Sequence, residues 1–313
     1  MSDYVNKRIE YINNWPNVEP FEAEENYKIR CNNFINKNNR HPLSLMKLWV
    51  DTDDNYNRTI SHFIDSIDVM PCHPNFAFSF IFSAIDHFAK WKYPNPKPGG
   101  KPNITISFKL IADDIFDLSL HNSNIKDIID LLFSVTPVST TSYLYKCLSQ
   151  NSKAYGRVTK DIYDHDVMNN KSVVDAIFHE YGYDPSNFND SIRQAALLYR
   201  KMFFNDSISI RSTAFSITNN LRLHLLLSGI IYSLRNDSLH GSSMSSTKSS
   251  QTSPKRYAMN YYCYITTYSL LMIILVKNSI LSEAEKNLKY AELKNITLRN
   301  VNDFRDLFGN HIK

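Results

Sequence analysis

Sixteen consecutive residues, Tyr261 to Val276, carry no charge: "YYCYITTYSLLMIILV". No other stretch restricts the fold as strongly. A helix that is apolar all round must be buried, either in lipid or at the centre of a bundle. The run is slightly short for a bilayer span, and it is studded with Tyr, Thr and Ser, whose polar tips need partners. It reads as a buried core helix, and with it the chain reads as a protein without a membrane segment. The N-terminal "MSDYVNKRIEYINNWP" has no apolar core like that of a signal peptide, so a cytoplasmic location is expected.

What surrounds a central helix follows from the turn residues. There are only 7 glycines among 313 residues, well below common usage. Sheet-rich folds need many tight turns, so scarce glycine favours helices joined by polar loops. The 35 basic and 31 acidic groups leave a net charge of +4, too mild to declare a nucleic-acid binder from the total; any basic surface has to be local. Cys31, Cys72, Cys147 and Cys263 are widely spaced with no CxxC pair, which suggests reduced thiols and neither a zinc site nor a disulfide framework.

Along the chain, "FEAEENYKIRCNNFINKNNR" opens with acids and ends in bases, as a helix dipole prefers. From Pro74 a strong helix carries Phe76, Phe80, Ala84 and Phe88 at four-residue steps, broadened by Phe78, Phe82 and Ile85. It stops at the breaker "PNPKPGGKPN". "ITISFKL" then alternates Ile104, Ile106, Phe108 and Leu110 with polar residues, which predicts a short strand. Helices are expected over 123–134, 134–150, 172–182 with a capping Gly182, and 189–204. A long helix is expected from about 208 to 236, a Ser/Thr/Lys loop over 241–256, the apolar helix over 257–278 and a polar helical tail after it.

The long helix ends in "IIYSLRNDSLHGSSMSS", residues 230–246. Arg235 offers planar donors matched to phosphate oxygens. His240 is of the type that takes and gives a proton near neutrality. Together they suit phosphodiester cleavage, the imidazole deprotonating an attacking hydroxyl and the guanidinium stabilising charge on phosphorus. On an ideal helix a five-residue step turns roughly 140°, so Arg235 and His240 would not share a face, whereas Asn236 and His240 would. Convergence needs a helix break or a second chain. A helix C-terminus also attracts cations for purely structural reasons.

"LRNDSLHG" resembles the Arg-Asn-x3-His motif of the HEPN (higher eukaryotes and prokaryotes nucleotide-binding) superfamily. Many members are metal-independent endoribonucleases of bacterial toxin, abortive-infection and anti-phage systems. The resemblance implies an all-α bundle that dimerises, with two motifs facing across one composite site and a 2',3'-cyclic phosphate as product. Arg235 and His240 then correspond to the catalytic pair and Asn236 to the polar position after the arginine. The motif covers about eight residues, extended by its flanking helices to 208–278. An antitoxin or another regulatory partner is expected on the same ground.

The reading is therefore an all-α, HEPN-like helical bundle at 73–280 with an insertion around 94–170, an N-terminal helical extension at 1–72 and a helical tail at 281–313. Lys248, Lys255 and Arg256 are candidate contacts to an RNA backbone. No metal and no cofactor is expected: "DTDDNYNRTISH" begins like a calcium loop but lacks the turn glycine and ends in His62 where a glutamate belongs. His224 reads as a satisfied core histidine, and His87 is not taken as a base. Asp237 is set aside as the partner of some base. The rival reading is a catalytically silent helical scaffold that binds a protein partner or a nucleotide.

Overall fold

The computed structural model describes residues 3–97, 99–100, 103–150, 155–156, 158, 169–181, 188–239 and 249–313. In chain order the helices are α1 (Asp3–Asn14), α2 (Glu22–Asn38), α3 (Asp54–Asp68), α4 (Pro74–Lys92), α5 (Ile104–His121), α6 (Ser123–Phe133), α7 (Val138–Gln150), α8 (Asn169–Glu180) and α9 (Phe188–Phe204). A hairpin follows, β1 (Ser207–Ile210) with β2 (Thr213–Ser216). Next, α10 (Asn219–His224), a π-helical stretch (Leu225–Ile231) and α11 (Tyr232–Leu239) run on without a gap. After these come α12 (Pro254–Lys277), α13 (Glu283–Phe308) and a terminal 3-10 turn (Gly309–Ile312). The fold is all-α with one small hairpin.

The hub is α12. It is long and apolar enough to cross a membrane, yet every residue from Tyr257 to Val276 is buried inside the protein. Three of its buried phenols have hydrogen-bond partners, whereas Asn260 Nδ2 and Thr266 Oγ1 have none among the described residues. Tyr261 donates to the Pro42 carbonyl, Tyr268 accepts from the Met46 amide at 2.7 Å, and the Tyr262 hydroxyl lies 2.9 Å from that of Thr136. Three neighbours that are distant in sequence are thereby fixed against one helix. α4 packs against both α12 and α3, and it buries Ala77, Phe78, Ile81, Ala84, Ile85 and Phe88. α13 starts on a capping box formed by Ser282 and Glu285 and packs on α12 and α6.

One buried hydrophobic cluster runs from Tyr27 to Ile312. Polar ties reinforce it where the ends of the chain meet. Arg40 makes two 2.6 Å bonds to the carboxylate of Asp303, and Asn300 exchanges bonds with the backbone of Ser44.

Three local expectations are corrected. The predicted strand at 104–110 is the first half of α5. Seven residues cannot separate period 2 from period 3.6, and the pattern continues as Phe108, Ile111, Ala112, Ile115 and Ser119, all buried on one helical face. Asn103 settles the start by accepting from the Thr105 amide at 3.0 Å. The long helix predicted from 208 begins only at Asn219, because "SISIRSTAFS" forms the hairpin, with Ile208 and Ile210 inward and Arg211 at φ 52° in its tight turn. Phe76 and Phe80, expected in the core, are 48% and 37% exposed; the buried stripe of α4 is set by Phe78, Phe82, Ile85 and Phe88 instead.

The calcium-like acids begin α3: Asp53 accepts from the Asn55 amide at 2.7 Å as its N-cap. The capping role expected of Gly182 lies outside the described residues.

The candidate nucleic-acid site at the end of α11

The rod from Asn219 to Leu239 reaches the site through its π segment, where the Tyr232 amide donates to the Leu227 carbonyl. A π turn accommodates one residue more than an α turn and so re-aims whatever follows. Gly229 sits within it, and a Cβ there would lie 2.7 Å from Leu144 Cδ1. The bare backbone is what lets the rod lie close against α7.

Past the π segment, Arg235 is half-buried. Its guanidinium rests over the Phe82 ring of α4, 5.3 Å from the centroid, and its Nη1 donates to Asn236 Oδ1 at 3.0 Å. A cation over an aromatic face is attracted to it, by roughly 0.5–1 kcal/mol where water has access. Arg235 has no carboxylate partner among the described residues. Two contacts therefore orient the group, and no carboxylate among the described residues neutralises it.

Asp237 pairs with no base among the described residues. It accepts from the Tyr143 hydroxyl of α7 at 2.7 Å. The phenol is held well above its ordinary range, first by burial and then by the nearby Cys147 and Asp237. One turn before Tyr143 on the same helix, Ser139 donates to the Lys255 carbonyl at 3.1 Å. Thus α7 holds both the end of α11 and the start of α12.

Of the residues singled out in the sequence, Arg235 and Asn236 are in contact, and Lys255 and Arg256 form the first turn of α12, Lys255 exposed and Arg256 half-buried. His240 and Lys248 lie outside the described residues. His224 is 3% exposed, as expected of a core histidine; its Nε2 is 3.0 Å from Asp113 Oδ1, while Nδ1 has no hydrogen-bond partner among the described residues. His87, half-buried on α4, is held below its ordinary value by desolvation first and by His62 and Arg58 next.

Phe82 and Tyr143 were not foreseen as parts of this site. Phe82 was read only as core, and nothing in the sequence links Tyr143 to a residue 94 positions away.

Against known proteins, no family model, no curated protein and no solved structure matches this chain. The functional reading rests on its own residues.

Proposed function

We propose that this chain is a metal-independent endoribonuclease of the HEPN type, cytoplasmic and acting as a homodimer in toxin–antitoxin or anti-phage defence. The observation that carries the reading is Arg235. It is a permanent cation at a helix end, steadied by Asn236 and Phe82 and matched to no carboxylate among the described residues. A purely structural arginine more often spends its donors on backbone carbonyls or acids, as Arg222 does on Met202, Asn205 and Asp206.

In this reading His240 takes the proton from the 2'-hydroxyl of the substrate. The 2'-oxygen attacks the adjacent phosphorus, the bond to the 5'-oxygen breaks, and that oxygen leaves with a proton supplied by an acid. The products are a 2',3'-cyclic phosphate and a 5'-hydroxyl. Arg235 holds the non-bridging oxygens as charge builds on them, and Asn236 fixes the direction of the guanidinium. A second protomer would complete the site, since the 140° helical step separates Arg235 from His240 on one ideal helix. An antitoxin or other partner restrains the activity.

The test is cleavage of a mixed tRNA and mRNA pool in the absence of divalent metal, by the natural chain and by the His240→Ala and Arg235→Ala variants, each first checked for fold and oligomeric state. Cleavage lost in both variants, with cyclic-phosphate ends in the natural reaction, supports the reading. Equal cleavage by all three removes Arg235 and His240 from the chemistry. No cleavage by the natural chain favours the silent scaffold.

A further inference from the structure

A concave site lies away from the motif, at the opposite end of the rod. A cleft of about 460 Å³ opens between the end of α5, α6, the end of α9 and the start of α10. Clefts of this size take small organic molecules. Its apolar lining is Phe116 and Leu120 of α5, Phe203 and Phe204 of α9, and Ile217 after the hairpin. Phe204 and Leu120 are 41% and 62% exposed, so large apolar side chains stand open to water here. The Phe204 ring is fixed in place. Arg200 lies over it, 4.9 Å from the centroid, and donates to the Thr136 carbonyl at 3.0 Å.

The charged groups of the lining are two cations and two carboxylates, Lys126 and Arg222 with Asp130 and Asp206. Lys126 of α6 donates to Asp130 Oδ2 at 3.1 Å, which leaves its other N–H groups free for a second acceptor. Arg222 of α10, its side chain only 5% exposed, gives four of its N–H groups to Met202, Asn219, Asn205 and Asp206. The remaining one, on Nη1, has no acceptor among the described residues. Asp206 accepts from Arg222 through Oδ1, and 95% of its side chain is in solvent. Asp130 first, then Asp127 and Asp206, hold the Lys126 ammonium above its ordinary value. The base of α6 and the acid before the hairpin therefore act on each other across the cleft.

The surrounding charges nearly cancel. The other acids of α6 and α5 are mostly held by bases: Asp127 by Lys294 at 2.6 Å, Asp113 by His224 at 3.0 Å and Asp114 by Lys277. On α13, Asp303 is held by Arg40. Arg200 and Arg305 reach the lining through Phe204 and Ser134, and the exposed Asp117, Lys201 and Asp306 adjoin lining or neighbouring residues in sequence. Asp190 and Arg193 stand at the far end of α9. Such a balance draws neither a polyanion nor a polycation; it suits a molecule that carries both signs itself.

We infer that this cleft binds a small zwitterion with an apolar body, an α-amino acid with a large apolar side chain. Its carboxylate accepts from Lys126 and from the remaining Arg222 N–H, its ammonium donates to Asp206 and Asp130, and its side chain covers Phe204, Phe116 and Leu120. The site is roughly 20 Å from Arg235 along the rod, by the helical rise. The inference goes beyond the ribonuclease reading and does not rest on it.

The experiment is isothermal titration calorimetry of the full chain with phenylalanine and leucine, and with three molecules that each lack one group. Phenylpropionate lacks the ammonium, phenethylamine the carboxylate and glycine the apolar body. Phenylalanine should bind at one site per chain, and each of the three should bind about tenfold more weakly or worse. Lys126→Gln, Asp206→Asn and Phe204→Ser should each weaken phenylalanine binding about tenfold. The Lys126 and Asp206 side chains are 58% and 95% exposed, so these two variants keep the fold, which a melting curve checks. The test does not depend on replacing Arg222, which would strip four hydrogen bonds from a buried group.

No heat from either amino acid at about 10 mM overturns the inference. Phenylpropionate or phenethylamine bound as tightly as phenylalanine also overturns it and points to a ligand of one charge. Unchanged affinity in the folded variants moves the ligand out of this cleft and overturns it too. None of these outcomes bears on RNA cleavage, and failure of the ribonuclease reading leaves the amino-acid site as it stands.

Discussion

Tyr143 on α7 donates its hydroxyl to Asp237, two residues beyond Arg235, across 94 positions of sequence. This bond sets the rotation of α11 at its last turns. Tyr143→Phe leaves a carboxylate without its donor in a part-buried place, so a loss of about 1–3 kcal/mol is expected in denaturant melts. Asp237→Asn keeps an acceptor for the phenol and should lose less than half as much.

Gly229 offers a sharper test of the π segment. In a helix interior, Gly→Ala ordinarily gains about 1 kcal/mol. Here the new methyl meets Leu144, itself fully buried, at 2.7 Å. Overpacking of that kind costs about 1–3 kcal/mol, so the expected net sign is destabilising. Gly229→Ala combined with Leu144→Ala should show a favourable coupling in a double-mutant cycle. Plain additivity would mean that the contact does not limit the approach of the two helices.

Asn236 acts on the proposed chemistry through Arg235. If RNA cleavage is found, Asn236→Ala should lower kcat about tenfold with little change in KM, equivalent to about 1.4 kcal/mol of transition-state stabilisation. Asn236→Asp retains the acceptor for the Arg235 guanidinium and should restore most of the rate. A merely structural asparagine would give no such difference between the two variants.

The Arg40–Asp303 pair joins the segment after α2 to α13, with Asp303 3% exposed. Asp303 is buried but the Arg40 side chain is 37% exposed, so removing the arginine costs less than the roughly 3–5 kcal/mol of a fully buried pair. Arg40→Ala is expected to lower the melting midpoint accordingly, whereas Asp303→Asn, which leaves no stranded carboxylate, should cost less. Equal small effects from both would place this carboxylate in water.

Acid should weaken the contact between Arg30 of α2 and His311 of the C-terminal turn, where Nη2 and Nε2 lie 3.0 Å apart. The folded His311 binds its proton less readily than the unfolded chain does. Between about pH 6.5 and the lower folded value, the unfolded state is therefore favoured by proton uptake, so stability falls as pH drops through that window and is complete above it. His87 is lowered too and contributes in the same direction. His311→Gln should remove part of the slope of stability against pH between 7 and 5, and an unaltered slope would exclude His311 as a contributor.

How much of this could be read in the sequence depended on the range of the interaction. The 16 uncharged residues of α12 could be placed in the core because an all-round apolar helix has few options. The Arg235–Asn236 contact is between neighbours and needed no fold to foresee. The strand error at Ile104 came from a window shorter than the helix it sampled. The hairpin was hidden because "SISIRSTAFS" carries no glycine or proline, its turn being made by Arg211 in a left-handed conformation. Phe76 and Phe80 fit the helical period as well as Phe78 and Phe82; only the positions of α3 and α12 decide which are covered. Tyr143–Asp237 and Arg30–His311 are side-chain meetings made by tertiary packing, for which a single sequence carries no local signal.

The tyrosines of α12 give the molecule an internal optical gauge. Burial raises the pKa of Tyr257, Tyr261, Tyr262, Tyr264 and Tyr268 above the usual phenol range. In an alkaline titration the surface phenols ionise first and change the ultraviolet spectrum, while these five stay silent until the hub opens. Their late, collective appearance as tyrosinate would therefore time the separation of α12 from the segments around it, with no added label.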